Sequence, residues 1–357
     1  MTLDDQRQEL IATAGLLATA GKGLLAADES TGTIGRRFAL IGVENNEANR
    51  RAYRSLLATT PGLGDFVSGV ILFEETLFQD AADGTPVLEH FSRQGIMPGI
   101  KVDQGVQPLA GGQAGETFTA GLAGLQERAA RYRARGARFA KWRAVLRIGA
   151  DGAPSPLARQ ENAWGLARYA RTVQEQGLVP IVEPELLMDG DHPIETTAAA
   201  QEAVLREVVA ALAAHGVLLE GMVLKPAMTT AGASHGGSQR PERVAELTLR
   251  TLRRTLPVAV PAVLFLSGGL GEEEACTYLN AINRAAGPTG APWHLGFSFG
   301  RALQHSCLRQ WGSSDVAAGQ RALLARARAS SEASRGCYRP GSQPSLDGSL
   351  FVADYAY

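Results

Sequence analysis

Lysine is rare in this chain and unevenly placed. Lys22, Lys101, Lys141 and Lys225 are the only lysines among 35 basic residues, and arginine supplies the rest. Three of the four fall in apolar, strand-like runs: Ile100-Lys101-Val102, Ala140-Lys141-Trp142 and Leu224-Lys225-Pro226. A compositional bias against lysine explains the scarcity but not the placement, because leftover lysines belong on solvated helices. A guanidinium stays protonated at any useful pH, whereas a buried lysine can lose its proton and become a nucleophile. Lys225 is therefore a candidate Schiff-base amine. Lys22, between two glycines, reads instead as a turn residue with a solvated amine.

The other charged residues in apolar runs tell the same story, since a buried charge is costly unless it faces a polar site. Asp28 ends the run Ala26-Ala27-Asp28-Glu29-Ser30-Thr31-Gly32. Lys101 and Asp103, Lys141 and Arg143, and Glu183 and Glu185 are each spaced i, i+2, which puts both members of a pair on one side of a strand. A Schiff base on a ketone makes an electron sink, so a neighbouring carbon–carbon bond can break and leave an enamine. Burial and a second cation both favour the neutral amine, and Lys141 could supply that cation. Asp28, Glu183 and Glu185 are candidates for the proton transfers. Ser267-Gly268-Gly269 and Ser298-Phe299-Gly300-Arg301 read as phosphate sites: glycine lets backbone N–H groups approach oxygens, serine adds a donor, and arginine grips the dianion. The six histidines form no His-x-His or His-x-x-x-His pair, so no metal site is expected, and lone histidines such as His215 read as structural.

These residues need a scaffold that brings several strand ends together. Candidate strands are 24–28, 67–73, 97–103, 138–145, 178–183, 221–225, 262–267 and 294–299. Helical stretches are clearest at 119–134, 157–176, 194–214, 241–256, 271–285 and 315–333. Strict alternation predicts a parallel sheet, because parallel strands require crossover connections. Eight strands close a (β/α)8 TIM barrel, whose sites form at the C-terminal ends of the strands. An open, doubly wound sheet competes, but no Gly-x-Gly-x-x-Gly loop follows any of these runs. The expected organisation is one α/β domain over 1–357, with an N-terminal helix within 1–20 and a mobile Gly/Pro-rich tail over 336–357.

Composition excludes several classes. The net charge is −1 with both signs intermixed, which gives no nucleic-acid footprint. No apolar run approaches the roughly 20 residues of a membrane helix. The start Met1-Thr2-Leu3-Asp4-Asp5 shows no export signal. Cys276, Cys307 and Cys337 form no Cys-x-x-Cys pair and read as free thiols. A soluble cytoplasmic protein is expected.

Eight motifs, in order, carry a resemblance: Gly-Lys-Gly-Leu-Leu-Ala-Ala-Asp-Glu-Ser-Thr-Gly at 21–32, Gly-Val-Ile-Leu-Phe-Glu-Glu-Thr-Leu at 69–77, Pro-Gly-Ile-Lys-Val-Asp at 98–103, Ala-Lys-Trp-Arg at 140–143, Val-Glu-Pro-Glu at 182–185, Leu-Lys-Pro at 224–226, Leu-Ser-Gly-Gly at 266–269 and Phe-Ser-Phe-Gly-Arg-Ala-Leu-Gln at 297–304. From about residue 8 to the C-terminal tyrosine, the chain resembles class I, Schiff-base-forming fructose-bisphosphate aldolase. The resemblance implies metal-independent, reversible cleavage of fructose 1,6-bisphosphate into dihydroxyacetone phosphate and glyceraldehyde 3-phosphate, with no cofactor. Lys225 matches the Schiff-base lysine and Glu183 the general acid/base, with Glu185 nearby and Lys141 adjusting charge at the imine. Asp28 matches the carboxylate of bond cleavage, and Tyr357 the terminal tyrosine that assists proton exchange. Ser267, Gly268, Gly269, Ser298, Gly300 and Arg301 match the C1-phosphate site. Ser30, Thr33, Arg37, Lys101 and Arg143 fall where the other phosphate or nearby hydroxyls are held. A homotetramer is implied as well. Ala227, Phe299, Thr33 and the segment Thr229 to Ser238 depart from the animal enzymes. The rival expectations are a preference for another phosphorylated ketose, such as sedoheptulose 1,7-bisphosphate, and an inactive barrel kept as a binding scaffold.

Overall fold

The computed structural model describes residues 3–236, 239–287, 290–346 and 348–355. Eight parallel strands close a barrel in sequence order: Gly23–Ala27, Val67–Leu72, Met97–Lys101, Phe139–Leu146, Val179–Leu186, Val223–Leu224, Ala262–Phe265 and His294–Phe299. The first strand pairs with both the second and the eighth, with Leu24 opposite Gly69 on one side and Ser298 on the other. The expected (β/α)8 barrel is present. The sixth strand is short because Pro226 has no N–H to offer its neighbours. Its backbone ladder still reaches the lysine, whose N–H donates to the Val182 carbonyl at 2.8 Å.

Inside the barrel, strand residues two apart face one another across the lumen. At the N-terminal end these positions are apolar: Leu24, Ala26, Ile71, Phe139, Val179, Ile181, Val223, Ala262 and Leu264 form a buried cluster with Leu10, Ala14 and Leu17 of the helix Leu3–Leu17. That helix closes the bottom. Phe139 fits because Gly99 has no side chain; a Cβ there would come within 2.1 Å of the ring. A second, larger cluster fills the shell between barrel and outer helices.

The crossover helices follow their apolar periodicity. Pro156–Glu175 opens on Ser155, which accepts from Ala158 N–H, with proline in the first turn. Expected helices appear at Leu125–Arg135, Ile194–Ala214, Pro241–Thr255, Glu272–Ala286 and Val316–Ser334. Thr31–Ala39, Glu47–Ala58, Glu74–Phe78, Val87–Arg93 and Arg301–Trp311 are additional, as is a hairpin of Val106–Pro108 with Thr117–Thr119.

One expectation is corrected. The Lys22 amine is not left to solvent: it donates to the Gly64 carbonyl at 2.5 Å, tying the first turn to the approach of the second strand. The described tail, mostly exposed, is tied to the barrel by hydrogen bonds at several points. Tyr338 is buried and its N–H donates to Asn280 Oδ1 at 2.9 Å; Gly341 N–H donates to Glu273 Oε1 at 2.6 Å, and Leu346 N–H to Glu272 Oε2 at 3.0 Å. Side-chain acceptors on the helix Glu272–Ala286 hold a segment that its own composition would leave loose.

Candidate active site

The strand pattern that fills the barrel bottom with apolar side chains changes chemistry at the top. Ala26 is followed two residues on by Asp28, Gly99 by Lys101 and Asp103, Phe139 by Lys141 and Arg143, Ile181 by Glu183 and Glu185, and Val223 by Lys225. Asp103 is buried beneath the cavity, and the other charged residues line it, at the C-terminal mouth of the barrel. Three turns complete the wall. Ser30 caps the helix Thr31–Ala39, accepting from Thr33 N–H at 3.3 Å and donating to Thr33 Oγ1 at 3.1 Å. Arg37 reaches in from the same helix. Ser267 and Gly268 follow the seventh strand, where a φ of +54° at residue 268 favours glycine. Ser298, Gly300 and Arg301 close the ring from the eighth.

Glu183 is the bridge. Its Oε1 is 3.0 Å from Lys225 Nζ and its Oε2 is 3.4 Å from Lys141 Nζ. Lys141 also meets Asp28 Oδ2 at 2.8 Å and Asp103 Oδ2 at 3.8 Å, and Lys101 meets Asp103 Oδ1 at 2.7 Å. Three ammonium groups and three carboxylates therefore form one buried array. The side chains of Lys225, Glu183 and Lys141 are 5%, 5% and 4% exposed. Burial by itself would raise the Asp28 carboxyl, but Lys141, then Lys225 and Lys101, outweigh it and hold that group well below the usual carboxylate range. Glu185 is buried too and is likewise held down, by the Arg143 guanidinium whose Nε donates to it at 2.6 Å.

Arginines gather on the opposite wall. Arg37 pairs with buried Glu29, which also meets Arg54 Nη1 at 2.6 Å and accepts from Gln304 Nε2 at 2.9 Å. Burial would lower the Arg37 guanidinium, but Glu29 more than compensates and raises it. Arg301 differs. Burial pulls it down to about 10, which leaves it charged at neutral pH, and its described partners are the Leu350 carbonyl and the Tyr355 ring. Ser298 Oγ is buried with no hydrogen-bond partner among the described residues. A cationic wall with an uncommitted hydroxyl fits an anionic oxygen ligand such as phosphate.

Of the residues singled out in the sequence, Gly269 does not line the cavity. It backs the tail instead, where a Cβ would meet Phe351 Cα at 2.8 Å. Tyr357 lies outside the described residues. The sequence reading gave no role to Glu29, Arg54, Gln304 or Tyr355. An arginine at 54 among the buried Tyr53, Leu56 and Leu57 was the available signal for the Glu29 cluster. His215 is structural, with Nδ1 2.9 Å from the Ala211 carbonyl and its ring against Trp164.

Comparison with known proteins agrees with this geometry. The family model described as fructose-bisphosphate aldolase class-I matches residues 9–357. Fructose-bisphosphate aldolase 6, cytosolic, of Arabidopsis thaliana is 56% identical over 98% of this chain and 97% of its own length. The cytoplasmic isozyme of Spinacia oleracea is also 56% identical, with the same coverage of both. Among solved structures, fructose-bisphosphate aldolase from Plasmodium falciparum, crystallised with TRAP and a small-molecule inhibitor, superposes with a TM-score of 0.92 at 50% identity, covering 94% of this chain and 97% of that one.

Proposed function

We propose how this site works from a settled premise: the chain belongs to the class-I fructose-bisphosphate aldolase family, and it reversibly cleaves fructose 1,6-bisphosphate to dihydroxyacetone phosphate and glyceraldehyde 3-phosphate. Lys225 is the nucleophile. Its proton has an acceptor in place, Glu183 Oε1 at 3.0 Å, so the free amine can form by transfer within the pair and attack the C2 carbonyl. Glu183 then returns the proton to the carbinolamine hydroxyl, which leaves as water and yields the iminium. Asp28, kept ionised by Lys141, takes the C4 hydroxyl proton as the C3–C4 bond breaks; the bonding electrons move into the iminium and give an enamine. Protonation at C3, which the resemblance gives to Tyr357, and hydrolysis release the second product and restore Lys225.

Phosphate binding falls to the arginine wall. Arg301, with Ser267, Gly268 and Ser298, takes one phosphate, with Gly269 and Gly300 shaping the turns; Arg37, Arg143, Lys101, Ser30 and Thr33 take the other end. Glu185 acts by fixing Arg143. We treat the chain as one barrel domain with its tail, working in the cytoplasm as its cytosolic relatives do. It works as a homotetramer on the resemblance alone, which sedimentation equilibrium would test.

The observation that carries this reading is the single carboxylate shared by two buried lysines. The test is borohydride reduction in the presence of dihydroxyacetone phosphate. Label should appear on Lys225, and Lys225→Arg should neither trap nor turn over, because a guanidinium is not deprotonated. Label on Lys141 or Lys101 would refute the assignment.

A further inference from the structure

The described tail is pinned down to the mouth of the barrel. Glu272, buried beneath it, accepts from Ser306 N–H at 2.7 Å and Ser306 Oγ at 2.5 Å as well as from Leu346 N–H. Fully buried Arg326 braces the same point, donating to the Glu272 carbonyl at 2.8 Å and the Pro344 carbonyl at 3.2 Å. Farther on, Leu350 N–H donates to the Gly269 carbonyl at 3.0 Å and Asp354 N–H to Asp189 Oδ1 at 2.7 Å. Tyr355 therefore follows directly on an anchored residue, and its effective concentration at the cavity is that of a tethered ligand, on the order of millimolar or higher.

Tyr355 ends among three guanidiniums. The centre of its ring is 4.3 Å from Arg301 Cζ and 5.7 Å from Arg143 Cζ. Its hydroxyl accepts from Arg37 Nη2 at 3.4 Å, and its carbonyl accepts from Arg143 Nη2 at 2.7 Å. Arg301 Nη1 is taken as well, by the Leu350 carbonyl at 2.6 Å. These arginines belong to both phosphate groups assigned above. A bidentate grip on phosphate needs two N–H groups of one guanidinium free at once.

We propose that Tyr355 is a built-in occupant of the phosphate cradle, a tethered ligand that a phosphorylated substrate displaces to gain the full grip of Arg37, Arg143 and Arg301. The proposal rests on those arginines binding phosphate. The exchange favours a dianion, because charge-assisted bonds to phosphate are stronger than ring stacking and carbonyl acceptance. A neutral sugar offers no such gain. Occupancy by the ring therefore weakens the apparent affinity of phosphorylated ligands, raising their Kd by the reciprocal of the fraction of chains with the ring unseated.

The test is calorimetric titration of the full chain and of Tyr355→Ala with inorganic phosphate and with hexitol 1,6-bisphosphate. Loss of the occupant should tighten bisphosphate binding roughly three- to tenfold. In the unaltered chain, saturating phosphate should speed carboxypeptidase removal of the C-terminal residues. Equal or weaker bisphosphate binding by Tyr355→Ala would overturn the proposal while leaving the arginine assignment intact, and so would slower trimming with phosphate present. Failure of both chains to bind either anion would overturn the arginine assignment itself, and the proposal with it.

Discussion

Lys141→Met would probe the buried charge array most directly. The stem is conserved in volume, so the change removes a charge with little loss of packing. What remains is Asp28, Glu183 and Asp103 without the ammonium that lies 2.8, 3.4 and 3.8 Å from them. A pair at about 4 Å and an effective dielectric near 20 is worth about 4 kcal/mol before desolvation. Removing one member of a buried pair typically costs about 3–5 kcal/mol, and we expect that loss at pH 7. The sign with pH follows from Asp28. Its carboxyl is held low, so in the unaltered chain it stabilises the fold above its unfolded value, near 3.9, and that contribution fades only as pH falls through the depressed native value. Without Lys141 the effect of burial gains ground and the native carboxyl takes up a proton more easily. The variant's deficit should therefore shrink on acidification. Urea midpoints at pH 7 and pH 3, the second below the unfolded carboxyl value, converted with a common slope, measure it. Cleavage turnover at pH 7 should fall by about 10²–10³ through loss of preorganised charge. A deficit under about 1 kcal/mol, or one equal at both pH values, would refute the argument.

Two further outcomes are expected. Dialysis against EDTA should leave cleavage unchanged, since the iminium formed on Lys225 provides the electron sink; loss of activity restored by a divalent cation would contradict that. Gly99→Ala should destabilise the barrel by about 1–3 kcal/mol, because the new methyl would stand 2.1 Å from the Phe139 ring, and Phe139→Leu in the same chain should recover part of it. A neutral melting temperature would mean that the lumen has room to spare.

The strands were legible because each is a short apolar run bounded by polar turns, and all eight occupy their expected places within a few residues. The unseen elements had weaker signals. Thr31–Ala39 carries two threonines and two glycines in its first turns, which read as loop, and Glu47–Ala58 hides an inward-facing Arg54 in a charged stretch. The hairpin strands are three residues each, too short for a period. The tail's contacts were out of sight for a different reason. Its glycines and prolines are real, but what holds it are Glu272, Glu273 and Asn280, far away in sequence. Gln304 was likewise invisible, because its meaning is a distance between two motifs rather than a property of either one.

The three lysines that line the cavity were legible for a reason that the barrel makes plain. A strand face in a closed lumen cannot choose a new direction, so residue i+2 must share the space of residue i. Gly99, Phe139 and Val223 fix the lower lumen as packed core, and their partners Lys101, Lys141 and Lys225 are then committed to its mouth. An ammonium in that position has no route to bulk water along its own strand. It must find a carboxylate, and Asp103, Asp28 and Glu183 stand at the distances this requires. The change from core to chemistry thus occurs within one pleat repeat. A lysine two residues beyond a buried lumen position, on several strands of one chain, is evidence for a site before any partner is known.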